Sequence, residues 1–162
     1  MIIPFNPNIK RYLESVEGIF FQNSNKTFVT EAEKNDFKIK WLSPYFEYLD
    51  LFFVKIIDDK VAGYINGSIS TNDIPSEFKV HLSKYPAHLH INICDTYQGQ
   101  GVGTDLVRHF LQRLNQLNIK GVHIITSANS RNVSFYQRNG FANSYHSHSG
   151  KLLLMGNAIS EK

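Results

Sequence analysis

Three alternating glycines, Gly99, Gly101 and Gly103, sit in the stretch "DTYQGQGVGTDL", Asp95 to Leu106. Ahead of them runs "HLHINIC", His88 to Cys94, which reads as a strand. Behind them Val102, Leu106, Val107, Phe110, Leu111, Leu114 and Leu117 form one apolar stripe at helical spacing, with Asn118 and Gly121 bracketing its end. Glycine loses more backbone entropy on folding than any other residue, so a turn this rich implies a conformational need. A tight turn opening into a helix gathers unpaired N–H groups at the positive end of the helix dipole, which suits a phosphate. No Asp or Glu stands between Tyr97 and Thr104 to oppose an anion.

The rest of the chain fits an α/β domain around this unit. Its 162 residues suit one domain, 1–162, with a hydrophobic core, and 42% hydrophobic with 13% aromatic residues marks a globular chain. Asn6 and Pro7 read as the N-cap and first position of a helix carrying Ile9, Tyr12, Leu13, Val16, Ile19 and Phe20. "QNSNKTFVTEAEKNDF" reads as a loop with a helical turn, and Ser43-Pro44 starts a second short helix through "PYFEYLD". "LFFVKIIDDKVAGYINGSIS" is a hairpin about Asp58-Asp59-Lys60. A polar connection with a helical piece from Ser76 to Ser83 leads to "HLHINIC". After the glycine turn and its helix come the strand "GVHIIT", the short helix "SRNVSFYQRNG" with Gly140 as its C-terminal cap, and the strands "FANSYHSH" and "KLLLMGNAI". Helices, hairpin, then alternating strands and helices predict a mixed sheet flanked by helices.

Three phosphate ligands compete for the turn. A P-loop needs Lys-Ser or Lys-Thr after its last glycine, and Val102-Gly103-Thr104 supplies neither. A dinucleotide turn needs glycine where Thr104 stands and an acid about twenty residues on, a range that holds none. The pyrophosphate of coenzyme A remains. From Val107 to Ser160 the chain has no Asp or Glu, while Arg108, Arg113, Lys120, Arg131, Arg138 and Lys151 lie there, so this half favours an anionic small ligand.

Gln98-Gly99-Gln100-Gly101-Val102-Gly103 resembles the pyrophosphate loop of the GNAT superfamily of N-acetyltransferases, and "NSRNVSFYQRNGF", Asn129 to Phe141, is similar to the family's second motif. The hairpin "DDKVAGYINGSI" resembles the family's central hairpin. "YPAHLHINICDTYQGQGVG" and "GVHIITSANSRNVSFYQRNGF" look like the subgroup that includes the acetyltransferase-like domain of O-GlcNAcase. The resemblance implies a GNAT fold with a splayed strand pair, and acetyl-CoA as acetyl donor to a primary amine of a small molecule or peptide. Backbone N–H groups across Gln98, Gly99, Gln100, Gly101, Val102, Gly103 and Thr104 would hold the pyrophosphate. Ile91, Asn92 and Ile93 would lie beside the acetyl-pantetheine arm, and Asn129 and Asn132 would bond to it. Tyr136 would be the general acid for the leaving thiolate. The same resemblance leaves a second reading open, a CoA-binding or interaction module without catalysis.

Direct attack of an amine on a thioester needs proximity, a base and an acid, and no enzyme nucleophile. His88 and His90 share a strand face and are the candidate bases, since histidine ordinarily titrates near neutral pH. "His-Leu-His" here resembles the arylalkylamine N-acetyltransferases, in which such a pair passes protons through water. Asn92 and Cys94 continue that face; Cys94 reads as an inert strand cysteine and Asp95 as a turn-former. His146 and His148 alternate but lack a third neighbour for a metal, and no metal is expected. His81, His109 and His123 give no signal. Trp41, Tyr45, Phe46 and Tyr48 either pack the second helix or line an acceptor cleft.

Cys94 is the only cysteine, so no internal disulfide forms. The N-terminal "MIIPFNPNIKRYLES" lacks the pattern of a signal peptide, and no apolar run reaches membrane-spanning length. A cytoplasmic protein without membrane partners is expected. A formal charge of +3 and no dense basic stripe argue against nucleic acid. The last strands are candidates for joining two copies into a homodimer.

Overall fold

The structure, a computed structural model, describes residues 1–159. The described residues form seven strands: β1 (Ile2–Pro4), β2 (Phe52–Ile57), β3 (Lys60–Ser68), β4 (Ala87–Ile93), β5 (Gly121–Ser127), β6 (Asn143–His146) and β7 (Leu152–Ala158). They form one mixed sheet in the order β1-β2-β3-β4-β5-β7-β6. Four α-helices accompany them: α1 (Lys10–Asn23), α2 (Glu31–Trp41), α3 (Val102–Gln116) and α4 (Asn132–Arg138). The chain divides into two compact units, residues 1–67 with 91–109, and residues 68–90 with the chain from 110 onward.

In the first unit β2 and β3 make the expected hairpin. Asp58 and Asp59 both have positive φ, 50° and 62°, the backbone of a two-residue turn that suits the strand twist. The register shifts between Lys55 and Ile56, a bulge that sharpens the local bend. α1 buries Val16, Ile19 and Phe20 against Phe5, Phe52 and Tyr64. Each such large apolar side chain contributes roughly 1.5–3 kcal/mol on burial.

Two local expectations differ from the structure. α1 starts at Lys10, with Ile9 as an N-cap that makes no side-chain bond. Asn6 instead turns the chain ahead of the helix, its Oδ1 accepting from Asn8 N–H at 2.9 Å. The stretch expected as a loop contains the eleven-residue α2. It buries none of its residues, so hydrophobic periodicity leaves it unmarked. Its signal is a cap: Thr30 accepts from Glu33 N–H at 3.1 Å while the Glu33 carboxylate accepts from Val29 N–H at 3.0 Å. The second short helix is two 3-10 turns, Ser43–Glu47 and Leu49–Leu51. Ser76–His81 is likewise a 3-10 helix.

The second unit is built on the β5–β7 ladder, paired antiparallel from Gly121↔Ala158 to Ser127↔Leu152. Tyr85 fills a slot left by glycine: a Cβ on Gly156 would stand 2.5 Å from its ring. Its hydroxyl accepts from Asn143 Nδ2 at 2.8 Å. α4 ends where the sequence places its stop. Gly140 has φ 91°, and Phe141 N–H donates to Tyr136 O at 3.0 Å.

Candidate active site

The glycine loop lies in the first unit. Gly99 and Gly101 have φ of 75° and 80°, a backbone that side-chained residues adopt only under strain, and a Cβ on either would meet open space. Packing therefore gives no reason for these glycines; the turn itself requires them. Two glutamines brace it. Gln98 Nε2 donates to Asp95 Oδ1 at 3.2 Å, and Gln100 Nε2 donates to Thr96 O at 3.2 Å. Asp105 N–H donates to Gly101 O at 3.1 Å, which sets the first turn of α3. The N–H groups ahead of it point out of the helix end by geometry. Asp105 is the acid of that turn, and Lys55 Nζ stands 3.1 Å from its carboxylate. The turn thus keeps its positive end while its one carboxylate is countered. Gln98, Gly99, Gln100 and Gly101 are exposed and Gly103 and Thr104 half-buried, while Val102 is buried as an anchor. This cradle fits a diphosphate.

Ile91, Asn92 and Ile93 close β4 in the same unit, all half-buried. Asn92 Nδ2 donates to the Tyr64 hydroxyl at 2.8 Å, and Asn23 Nδ2, from α1, donates to Ile93 O at 3.2 Å. A Cβ on Gly63 would come within 2.8 Å of Ile93 Cδ1, so β3 and the end of β4 approach closely. Burial raises the Tyr64 phenol, and the Asn92 bond opposes this. Within the second unit the parallel ladder pairs Ala87 with Val122 and His88 with His123 and does not run on to Leu89 and His90. That is where a splayed pair would begin.

His88 and His90 do share a face, their rings 5.7 Å apart. The Thr71 hydroxyl contacts His88 Nδ1 at 2.7 Å and donates to Pro86 O at 3.1 Å. Having one proton, it accepts from His88. Burial, then His90 and His123, pull the pKa of His88 down to about 3. His90 is exposed, its ring edge-on to that of His88. Desolvation and His123 hold its pKa below the ordinary histidine value. Both rings are therefore neutral at neutral pH. They are weaker bases than an unperturbed histidine, because burial disfavours the cation. His123, silent in the sequence, joins them with its ring 6.0 Å from His88.

Tyr136 lies on α4, 6% exposed, its ring edge-on to Phe141 at 5.3 Å. Burial raises its phenol well above the ordinary tyrosine range, which makes it a weaker acid than an exposed tyrosine. Asn132 opens α4 and accepts from Thr126 Oγ1 at 3.0 Å through Oδ1; Asn129 is exposed in the loop ahead. Thr126 is the residue that fixes the Asn132 amide, and its β5–α4 setting was legible only after folding.

Cys94 is half-buried, its thiol 3.6 Å from Thr96 Oγ1. His148 pairs with Glu77 at 2.7 Å, and His81 stacks on Tyr145 at 3.8 Å. Among the described residues no three His, Cys, Asp or Glu side chains gather as metal ligands. Phe46 packs on Phe5 and Phe52, and Tyr45 joins that core, whereas Trp41 is 49% exposed. No described helix is long and apolar enough to cross a membrane.

The fold has many relatives. The crystal structure of SsHAT superposes with a TM-score of 0.78 at 22% identity, covering 99% of this chain and 98% of the other. That of PH1933 from Pyrococcus horikoshii OT3 gives 0.78 at 16%, covering 99% of both chains. The paiA N-acetyltransferase from Thermoplasma acidophilum in complex with coenzyme A gives 0.66 at 16%, covering 98% of both. The sequence profile described as acetyltransferase (GNAT) family matches residues 14–141. The chain therefore belongs to the acetyltransferase (GNAT) family, and is an acyltransferase of the kind that takes its acetyl group from acetyl-CoA.

Proposed function

We propose that the chain, as a single catalytic domain of residues 1–162, transfers the acetyl group of acetyl-CoA to a primary amine of a small molecule or peptide. The observation that carries this is the turn with Gly99 and Gly101 at φ 75° and 80°, opening the first turn of α3. Its N–H groups, from Gln98 to Thr104, hold the pyrophosphate, and Ile91, Asn92 and Ile93 align the pantetheine arm. Asn129 and Asn132 bond to that arm. Acetyl-CoA supplies the activated thioester carbonyl. The amine nitrogen attacks the carbonyl carbon, the new C–N bond forms and the C–S bond breaks. His90 and His88, neutral and with water beside them, pass the ammonium proton to solvent. Tyr136 gives its phenolic proton to the departing sulfur and regains one from water. No step passes through an acyl-enzyme, in keeping with Cys94 outside the reaction.

The second reading, a silent CoA-binding module, rests on the two segments that look like the O-GlcNAcase subgroup. Against it stand the intact turn and the presence of Tyr136 at its position in the second motif. Calorimetry with acetyl-CoA, followed by a thiol-release assay on a panel of primary amines and alanyl or lysyl peptides, separates the two. Binding with release of thiol is expected. Binding without turnover on the panel would favour the module, and absence of binding would overturn both. A cytoplasmic setting and a homodimer joined through the last strands complete the reading, the latter checked by sedimentation.

A further inference from the structure

We propose that the flank of α1 forms a second ligand site, an effector pocket for a small molecule carrying one carboxylate on an apolar body. Its effect on acetyl-CoA rests on the transferase reading; the binding of its own ligand does not. The first unit holds an open cavity of about 510 Å³ there, within the size range of small-molecule sites. Arg11, Ser15, Gly18 and Gln22 form its helical wall, one stripe at spacings of three and four residues. The β2–β3 turn brings Asp59 and Lys60 to it, and the 3-10 turn Asp95–Tyr97 brings Thr96 and Tyr97. None of the residues assigned above to the coenzyme or to proton transfer lines it.

Gly18 keeps the helical wall bare. Glycine weakens a helix interior relative to alanine, so its use there calls for a reason. Packing supplies none, since a Cβ on Gly18 would meet no atom within 4 Å. The bare backbone instead leaves room for a ligand to lie against α1. Charge sets the class of that ligand. Among the described residues no carboxylate lies within ion-pair distance of Arg11 or Lys60. The Arg11 guanidinium stands 4.9 Å over the Tyr12 ring and donates from Nη2 to the Tyr12 hydroxyl at 3.3 Å, which orients its fork. Its remaining N–H groups suit a bidentate carboxylate. Asp59 lines the same cavity, so the three charged groups sum to one positive charge, which a single carboxylate balances and a doubly charged phosphate overshoots. Tyr12, Ile19, Val61 and Tyr97 supply apolar surface for the rest of the molecule.

The far wall is also the scaffold of the glycine turn. Gln22 Oε1 accepts from Asp95 N–H at 3.3 Å, the Asp95 carboxylate holds Gln98, and Thr96 O holds Gln100. A ligand spanning α1 and Tyr97 steadies that turn in advance. A diphosphate then loses less freedom in ordering it, and the two ligands tighten each other by one common factor.

The test is calorimetry on the full chain with benzoate, phenylacetate and indole-3-acetate as probes and inorganic phosphate as the comparison, each alone and with acetyl-CoA. At least one carboxylate probe should bind once per chain and raise acetyl-CoA affinity about fivefold or more. Hydrogen exchange of residues 95–103 should slow with the probe alone. Arg11→Gln should weaken the probe about tenfold, the loss of a charge-assisted bond. Gly18→Leu fills the cavity with a good helix former and should abolish probe binding. Both variants should leave acetyl-CoA affinity without the probe unchanged. Failure of every carboxylate probe to bind, phosphate binding in their place, or a probe that acetyl-CoA displaces would each overturn the proposal. So would a bound probe that leaves acetyl-CoA affinity unmoved, or probe binding that survives both variants. If acetyl-CoA fails to bind while the probe binds through Arg11, the transferase reading falls and the pocket stands.

Discussion

At the scale of single residues, several candidate groups are set by a partner distant in sequence, His88 by Thr71 and Asn92 by Tyr64. Tyr136 is buried and packs edge-on against Phe141. Tyr136→Phe should leave acetyl-CoA binding within about twofold and lower kcat roughly 10²-fold or more, as loss of a general acid does; stopped thiol-release assays measure both. An unchanged kcat would remove the acid role. Asn66 offers a contrast: it is 1% exposed and its Oδ1 has no hydrogen-bond partner. An unpaired buried acceptor is costly, and replacing it by an apolar group of similar shape removes that cost. Asn66→Leu should therefore raise the unfolding free energy by about 1 kcal/mol, read from urea denaturation.

At the scale of elements, the caps and turns carry the argument. Thr30→Ala removes the side-chain acceptor that starts α2 and should cost about 1 kcal/mol, seen as a lower urea midpoint. Gly101→Ala tests the turn. The added methyl meets no atom, so the penalty is conformational, on the order of 1–2 kcal/mol for a left-handed alanine. Relief comes only by rotating the N–H groups out of their present directions. Acetyl-CoA affinity should fall at least tenfold by calorimetry while the fold persists. Much of this scale was legible beforehand. The α3 stripe, the Gly140 stop and the Asp58-Asp59 turn are encoded within a few residues. α2 was not, because a helix that buries none of its residues shows no apolar period; its Thr30–Glu33 box was the readable sign. β1 was not either, since Ile2–Pro4 is three residues long and becomes a strand only by pairing with β2.

At the scale of the whole molecule, charge and burial act together. The acid-free stretch from Val107 to Ser160 should give acetyl-CoA affinity a salt dependence. A loss of about threefold or more between roughly 0.05 and 0.5 M salt is expected from screening, by calorimetry. Histidine burial gives a pH dependence of stability with a definite sign. His88 is held at about 3 against an ordinary 6.5, and His90 and His123 are displaced the same way. The unfolded chain then binds protons that the folded chain refuses. Their contribution is fully present above about pH 6.5 and is lost as pH falls toward the folded values, so Tm should decline across that window. A Tm flat from pH 7 to 4 would contradict it. By itself the sequence determined the strand, glycine turn and helix, the shared face of His88 and His90, and the family motifs, because backbone preference and alternation are set within a few residues. Only the tertiary structure decided that His123 stands against His88, that Tyr85 O fixes its tautomer, that Asn92 reaches Tyr64, and that Tyr136 is buried. Those depend on groups tens of residues apart, brought together by pairing and burial that no local pattern records.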